Sequence, residues 1–229
     1  ISVNSLNLGR GAGNDITSLA FGVNALASQP SGLYSNMAIG YYALTAPTGG
    51  TNTAIGVSAL QANTNGSYNI GIGNNALRYN TGGGYNTAIG AAALQANTTG
   101  SNNIAIQWAA LIANSTGSNN IAIGRDALFS NTTASNNTAV GSSAGYTNTT
   151  GTLNTFVGYQ AGYSNTANWN TFIGAAVGYS NTSGITNVIV GGPNAANPTF
   201  YSNTTGSYNT ALGSGALSAN TSASYNTAV

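Results

Sequence analysis

The chain has 229 residues, with three Arg, no Lys, two acids, no His, no Cys and a formal charge of +1. Without His or Cys the usual nucleophiles, bases and transition-metal ligands are missing, and Asp15 and Asp126 make a paired-carboxylate site only if folding joins them. The expected catalytic, cofactor-binding and metal-binding residues are therefore none, and no enzyme is expected. A near-zero charge without a basic cluster leaves no footprint for nucleic acid, and no apolar run reaches the ~20 residues of a membrane helix.

In chain order, residues 1–21 read as a junction segment and first coil. The run Gly9-Arg10-Gly11-Ala12-Gly13 lacks the rest of a phosphate-cradling fingerprint and is taken as part of that junction. From Gly22 a unit of the form Asn-Thr-Ala-Ile-Gly-x-x-Ala-Leu, followed by Asn-Thr-Thr-Gly-Ser-Asn, returns about every 17 residues, with anchor glycines such as Gly56, Gly73, Gly90, Gly124 and Gly141. Gln107 takes the anchor slot between Gly90 and Gly124. So short a fixed period means one solenoid coil per repeat, because a unit of this size cannot bury a core alone.

Regular repeats span 22–191. An irregular coil with an insertion carrying Pro193 and Pro198 spans 192–208, and repeats resume over 209–229. The chain opens without Met or a signal peptide and stops one residue short of the next expected glycine, so a segment of a longer protein is expected.

Within a coil, the residue before the glycine is Ile55, Ile72, Ile89, Ile106, Ile123, Val140, Val157 or Ile173, a β-branched column that marks a strand. Two before the glycine stands a small residue, as at Ala54, Gly71, Ala88 and Ala105. The two columns point to opposite faces. The Ile column is expected inside the coil and the Ala column between subunits of a homotrimer; a monomer with a solvent-facing Ala column is the alternative. Leu60, Leu77 and Leu94 belong to the bend after the glycine and complete the expected core.

Asn-Thr-Thr-Gly-Ser then supplies turn residues, and the Asn column at 63, 80, 97, 114, 131, 148 and 165 is expected to form a hydrogen-bonded ladder. Asn97, Asn114, Asn131 and Asn148 match the N-glycosylation pattern, which follows from the turn consensus.

Where the Leu slot becomes Gly145, Gly162 or Gly178, the small slot of the next coil enlarges to Phe156, Phe172 or Ile189. Exchange of this kind resembles volume conservation in a close-packed interior and predicts contact across successive coils. Tyr146, Tyr163 and Tyr179 follow those glycines. Together with Trp108 and Trp169 they are the candidate exposed receptor contacts, packing being the competing role for each.

The unit at Asn52–Gly56 and Asn86–Gly90 resembles the Asn-x-x-Ala-Ile-Gly strand of trimeric autotransporter adhesin heads. The longer unit, with Ala-Leu and Asn-Thr-Thr-Gly-Ser-Asn, and the opening run Val3 to Asn14 resemble the repeat regions of tailed-phage tail fibres and appendages. The resemblance implies an all-β, parallel, left-handed β-solenoid (β-roll) packed as a homotrimer. About 13 coils at the ~4.8 Å strand spacing would make a rod of roughly 60 Å.

It further implies a non-catalytic shaft of a virion appendage on the virion surface, concerned with host attachment. Its partners would be its own copies, other fibre proteins and a host cell-surface glycan or protein, with no nucleic acid, membrane or cofactor. A bacterial cell-surface adhesin is the alternative. An ice-binding solenoid is a third, prompted by Thr53, Thr87, Thr138, Thr155, Thr171 and Thr210 in register but interrupted by Ile70, Ile104, Ile121 and Val188.

Overall fold

The computed structural model describes residues 2–3, 6–9, 17–30, 34–192 and 199–229. Most of the Gly9–Gly13 and Val3–Asn14 runs, Asp15, and the insertion with Pro193 and Pro198 lie outside the described residues. The chain is an all-β parallel solenoid whose strands recur once per repeat. It falls into two compact units, Ile1–Gly117 and Ser118–Val229, which divide the stretch read as one regular shaft.

In the first unit, β1 (Ser2–Val3) and β2 (Leu6–Gly9) run antiparallel to each other, and β2 is antiparallel to β3 (Leu19–Val23). From there β4 (Met37–Ile39), β5 (Thr53–Ile55), β6 (Ile70–Ile72), β7 (Thr87–Ile89) and β8 (Ile104–Ile106) add in parallel and in order. The second unit stacks β9 (Ile121–Ile123), β10 (Thr138–Val140), β11 (Thr155–Val157), β12 (Thr171–Ile173), β13 (Val188–Val190), β14 (Thr210–Leu212) and β15 (Thr227–Ala228) in the same manner. Register follows the repeat, so Ala54 sits beside Gly71 and Ile55 beside Ile72.

The coil turns at left-handed residues. One coil bends at Ser58 (φ 55°), Leu60 (φ 51°) and Tyr68 (φ 59°), and the same three positions recur with φ of similar value along the chain. A left-handed Leu costs roughly 1–2 kcal/mol, which burial of its side chain, worth about 1.5–3 kcal/mol, offsets. The anchor glycine has another reason to be glycine: Gly73 has φ +133°, and a Cβ on it would lie 2.5 Å from the carbonyl oxygen of Gly90 in the next coil.

The interior reverses the expected assignment of the strand. Ala54, Ala88, Ala105, Ala122 and Ala139 are fully buried, whereas Ile55, Ile72, Ile89, Ile106, Ile123, Val140, Val157 and Ile173 face outward and stay partly exposed. The coil is thin, and the space opposite the strand is taken by Leu60, Leu77 and Leu94, all fully buried. The close packing is visible at Gly71, where a Cβ would lie 3.2 Å from Cγ of Leu60. Phe156 and Phe172 enter the same interior, with ring centroids 5.8 Å apart.

Two columns of buried asparagine complete the core. In one, the Asn80 amide donates to Asn63 Oδ1 (2.6 Å), Asn97 to Asn80 (2.7 Å) and Asn114 to Asn97 (2.9 Å). The second column was not recognised in the sequence: the backbone N–H of Asn69 donates to Asn52 Oδ1 (2.9 Å), and that of Asn86 to Asn69 Oδ1 (3.0 Å). The columns meet at turn glycines, since Gly83 O accepts from both Asn69 Nδ2 (2.8 Å) and Asn80 Nδ2 (2.9 Å). Asn97, Asn114, Asn131 and Asn148 are thus fully buried, so the glycosylation pattern presents no accessible amide in the folded coil.

Candidate interaction surface

With Ala, Leu and Asn turned inward, the outward face of the strand collects what remains. Numbering from the anchor glycine, −3 and −1 share the strand's outward side by alternation, flanked by +1, just past the glycine, and by −5, a left-handed corner such as Tyr68. The exposed large apolar residues of the first unit on these positions are Leu19, Phe21, Met37, Tyr41, Val57, Tyr68, Ile70, Tyr85, Ile89, Ile104 and Trp108. Those of the second unit are Ile123, Leu153, Tyr159, Trp169, Ile173, Val188, Val190, Tyr208, Leu212, Tyr225 and Val229. Among the described residues, Tyr79 is the only exposed large apolar side chain outside this face.

The face is nearly uncharged. Arg125, at +1, pairs with Asp126 at 3.2 Å. The threonines of the −3 column, among them Thr87, Thr138 and Thr155, lie between the Ile–Val column and the −5 corner, so each strand shows a Thr-or-Ile beside an Ile-or-Val.

The candidate receptor contacts occupy different columns of the repeat. Trp108 stands at +1 in the first unit and Trp169 at −5 in the second, each about half exposed. Tyr146, Tyr163 and Tyr179 belong to a different column, one residue past the Leu slot, where Phe129, Tyr146, Tyr163, Tyr179 and Tyr201 form one continuous stack. Centroids are 4.9–5.0 Å apart and planes within 12° of parallel, so the faces of the middle rings are occupied by neighbouring rings. Burial in that stack, with Tyr163 and Tyr201 on either side, pushes the Tyr179 phenol up. At the −5 corner two shorter stacks occur, Tyr68–Tyr85 (4.8 Å) and Tyr208–Tyr225 (5.0 Å).

Among the described residues no group of three or more His, Cys, Asp or Glu is gathered, and no helix is long and apolar enough to cross a membrane. No protein-family model matches the chain, and neither a curated protein nor a solved structure shows significant similarity to it.

Proposed function

We propose that this chain is a non-catalytic structural segment that associates with two further copies through the outward strand face, as the shaft of a phage tail fibre or similar virion appendage concerned with host attachment. The observation that carries the association is the confinement of exposed apolar side chains to that one face. A fully exposed large side chain offers about 200 Å² and close to half of each is open here, so the first unit alone presents on the order of 1,000 Å². That exceeds the ~300–600 Å² patch of a typical monomer and reaches the ~800 Å² that each partner brings to a stable interface.

A parallel arrangement of the copies follows from what a shaft needs. Chains attached at one end must run the same way, which cyclic symmetry about the coil-stacking direction provides and a twofold across it does not. The number three rests on the resemblance to trimeric adhesin heads and phage fibre repeats. That resemblance also supplies the fibre assignment, whose virion-surface location rests on it alone.

Mass measurement in solution at micromolar concentration should give three chains. A folded monomer would defeat the association, and a monomer that shapes ice crystals would reassign the Thr-Ile face to ice. Reading the flanking gene separates the remaining candidates. A virion-attachment domain upstream is expected for the fibre, and a membrane-anchor barrel downstream would make it a bacterial adhesin instead.

A further inference from the structure

One hollow in the first unit arises from a local departure from the repeat. Thr48-Gly49-Gly50-Thr51-Asn52 stands where the next coil has Thr64-Asn65-Gly66-Ser67-Tyr68-Asn69, one residue longer. The backbone register fixes what is missing. Thr48 N–H donates to Thr64 O (2.7 Å) and Gly50 N–H to Ser67 Oγ (3.2 Å), so the deleted residue falls opposite Asn65, Gly50 opposite Ser67 and Thr51 opposite Tyr68. A deletion, an absent side chain and a small side chain thus lie together, leaving a surface cavity of about 450 Å³.

One wall is aromatic and the rim is polar. Tyr68 stacks one face on Tyr85 of the following coil, with planes 10° apart, so its other face looks back over Thr51 into the hollow. Tyr34 borders the opposite side, its carbonyl oxygen accepting from Thr51 N–H. Levels two strands apart are separated by about 9–10 Å, enough for one ring at van der Waals distance, roughly 4 Å, from Tyr68 above Thr51. The single Thr48 O–H is shared between Thr64 O (3.0 Å) and Asn65 Oδ1 (2.8 Å), and the Asn65 amide can donate to a ligand. Ser67 Oγ accepts from Gly50, leaving its O–H to donate. No charged residue lines the cavity.

We infer that this hollow is a binding site for one neutral pyranose residue of a carbohydrate, its C–H face on Tyr68 and its hydroxyls on Asn65, Ser67 and Thr51. A purely apolar ligand would leave the hydroxyl and amide rim without partners, and an acidic sugar would find no cation. The site stands on the first unit alone and requires that association through the −3, −1 and +1 columns leave the Tyr68 corner open.

The test uses the full chain, with its oligomeric state measured, and the methyl glycosides of glucose, galactose and mannose as probes in saturation-transfer NMR and titration. Thr51→Tyr fills the hollow by the substitution the column already tolerates: Thr51 has φ +60°, beside +59° at Tyr68 and +58° at Tyr85. Tyr68→Ala removes the platform. At least one glycoside should show transfer to its ring protons, weakened tenfold or more by either substitution while circular dichroism stays unchanged. If Tyr68→Ala unfolds, Thr51→Tyr decides. No transfer to any of the three at millimolar concentration, or transfer undiminished in Thr51→Tyr, overturns the site. Because one assay reads mass and the other a bound sugar, the trimer and the sugar site can fail separately.

Discussion

Phe156 packs directly on the bare backbone of Gly162 in its own coil: a Cβ on Gly162 would lie 2.5 Å from Phe156 Cδ1. Gly145, in the preceding coil, meets the other side of the same ring, its Cβ position lying 2.7 Å from Phe156 Cδ2. Gly178 likewise lies against Phe172. The expected exchange of volume across successive coils therefore holds for Gly145 and Phe156, but the nearest partner of Gly162 is Phe156 rather than Phe172. A ring in the strand slot fills space left by glycine both below it and beside it.

Gly162→Leu should accordingly overpack the coil and Phe156→Ala should leave a cavity, each costing roughly 1–5 kcal/mol. The double variant should recover about 0.5–3 kcal/mol relative to their sum. Combining Gly162→Leu with Phe172→Ala should recover less. Denaturant unfolding of the four proteins checks both statements, and strict additivity for Gly162 with Phe156 would deny the contact.

Ala88 and Ile89 are neighbours on one strand with opposite surroundings, the first fully buried and the second 37% exposed. Ala88→Leu should destabilise each coil by roughly 1–3 kcal/mol through overpacking, at any protein concentration. Ile89→Asn should leave the unassociated chain nearly as stable and instead weaken association. Its melting temperature should fall on dilution more steeply than that of the parent. Equal and concentration-independent shifts for the two variants would show that the outward column has no partner.

The period, the strand positions, the buried Leu slot and one asparagine ladder were legible because each repeats in register, and register survives any error about which side is inside. The sidedness itself was not legible. Both Ile89 and Ala88 are apolar, and alternation states only that they oppose each other. What decides is the width of the coil, set by Leu77 and Leu94 reaching across it, a quantity no single strand contains. The second asparagine column was hidden for a related reason: Asn69 and Asn86 precede strands, where an amide reads as a turn residue until its carbonyl oxygen is seen to accept the next coil's backbone N–H. The hollow over Thr51 was written in the sequence as a one-residue deletion, but only the backbone register shows which residues border it.

Asn97 takes part in the side-chain ladder twice, donating to Asn80 and accepting from Asn114, and also donates to Gly100 O at 2.9 Å. Asn97→Ala strands a buried oxygen on one side and a buried amide hydrogen on the other, at about 1–3 kcal/mol for each group. Thr98, whose hydroxyl donates to Ser115 O near the surface, should cost under about 1.5 kcal/mol as Thr98→Ala. Comparing the two denaturation midpoints tests the ladder. The ladder has a natural interruption: Asn148 Oδ1 is buried without a donor, and Asn165, in a turn one residue shorter, gives its amide to Ala167 O.

The tyrosine stack gives the fold an alkaline limit. Burial, with Tyr163 and Tyr201 adding, holds the Tyr179 phenol above its ordinary pKa of about 10, so the folded chain keeps this proton after the unfolded chain has begun to lose it. Stability falls with pH wherever the unfolded state binds fewer protons. The contribution is therefore fully present below about pH 10 and is lost as pH rises through the folded value. Thermal melts across the alkaline range should show a decline that begins near that point, and Tyr179→Phe, which keeps the stacked ring but removes the proton, should move the decline to higher pH while leaving the neutral-pH melting temperature almost unchanged. A variant that declines at the same pH as the parent would mean that the stack does not hold the Tyr179 proton.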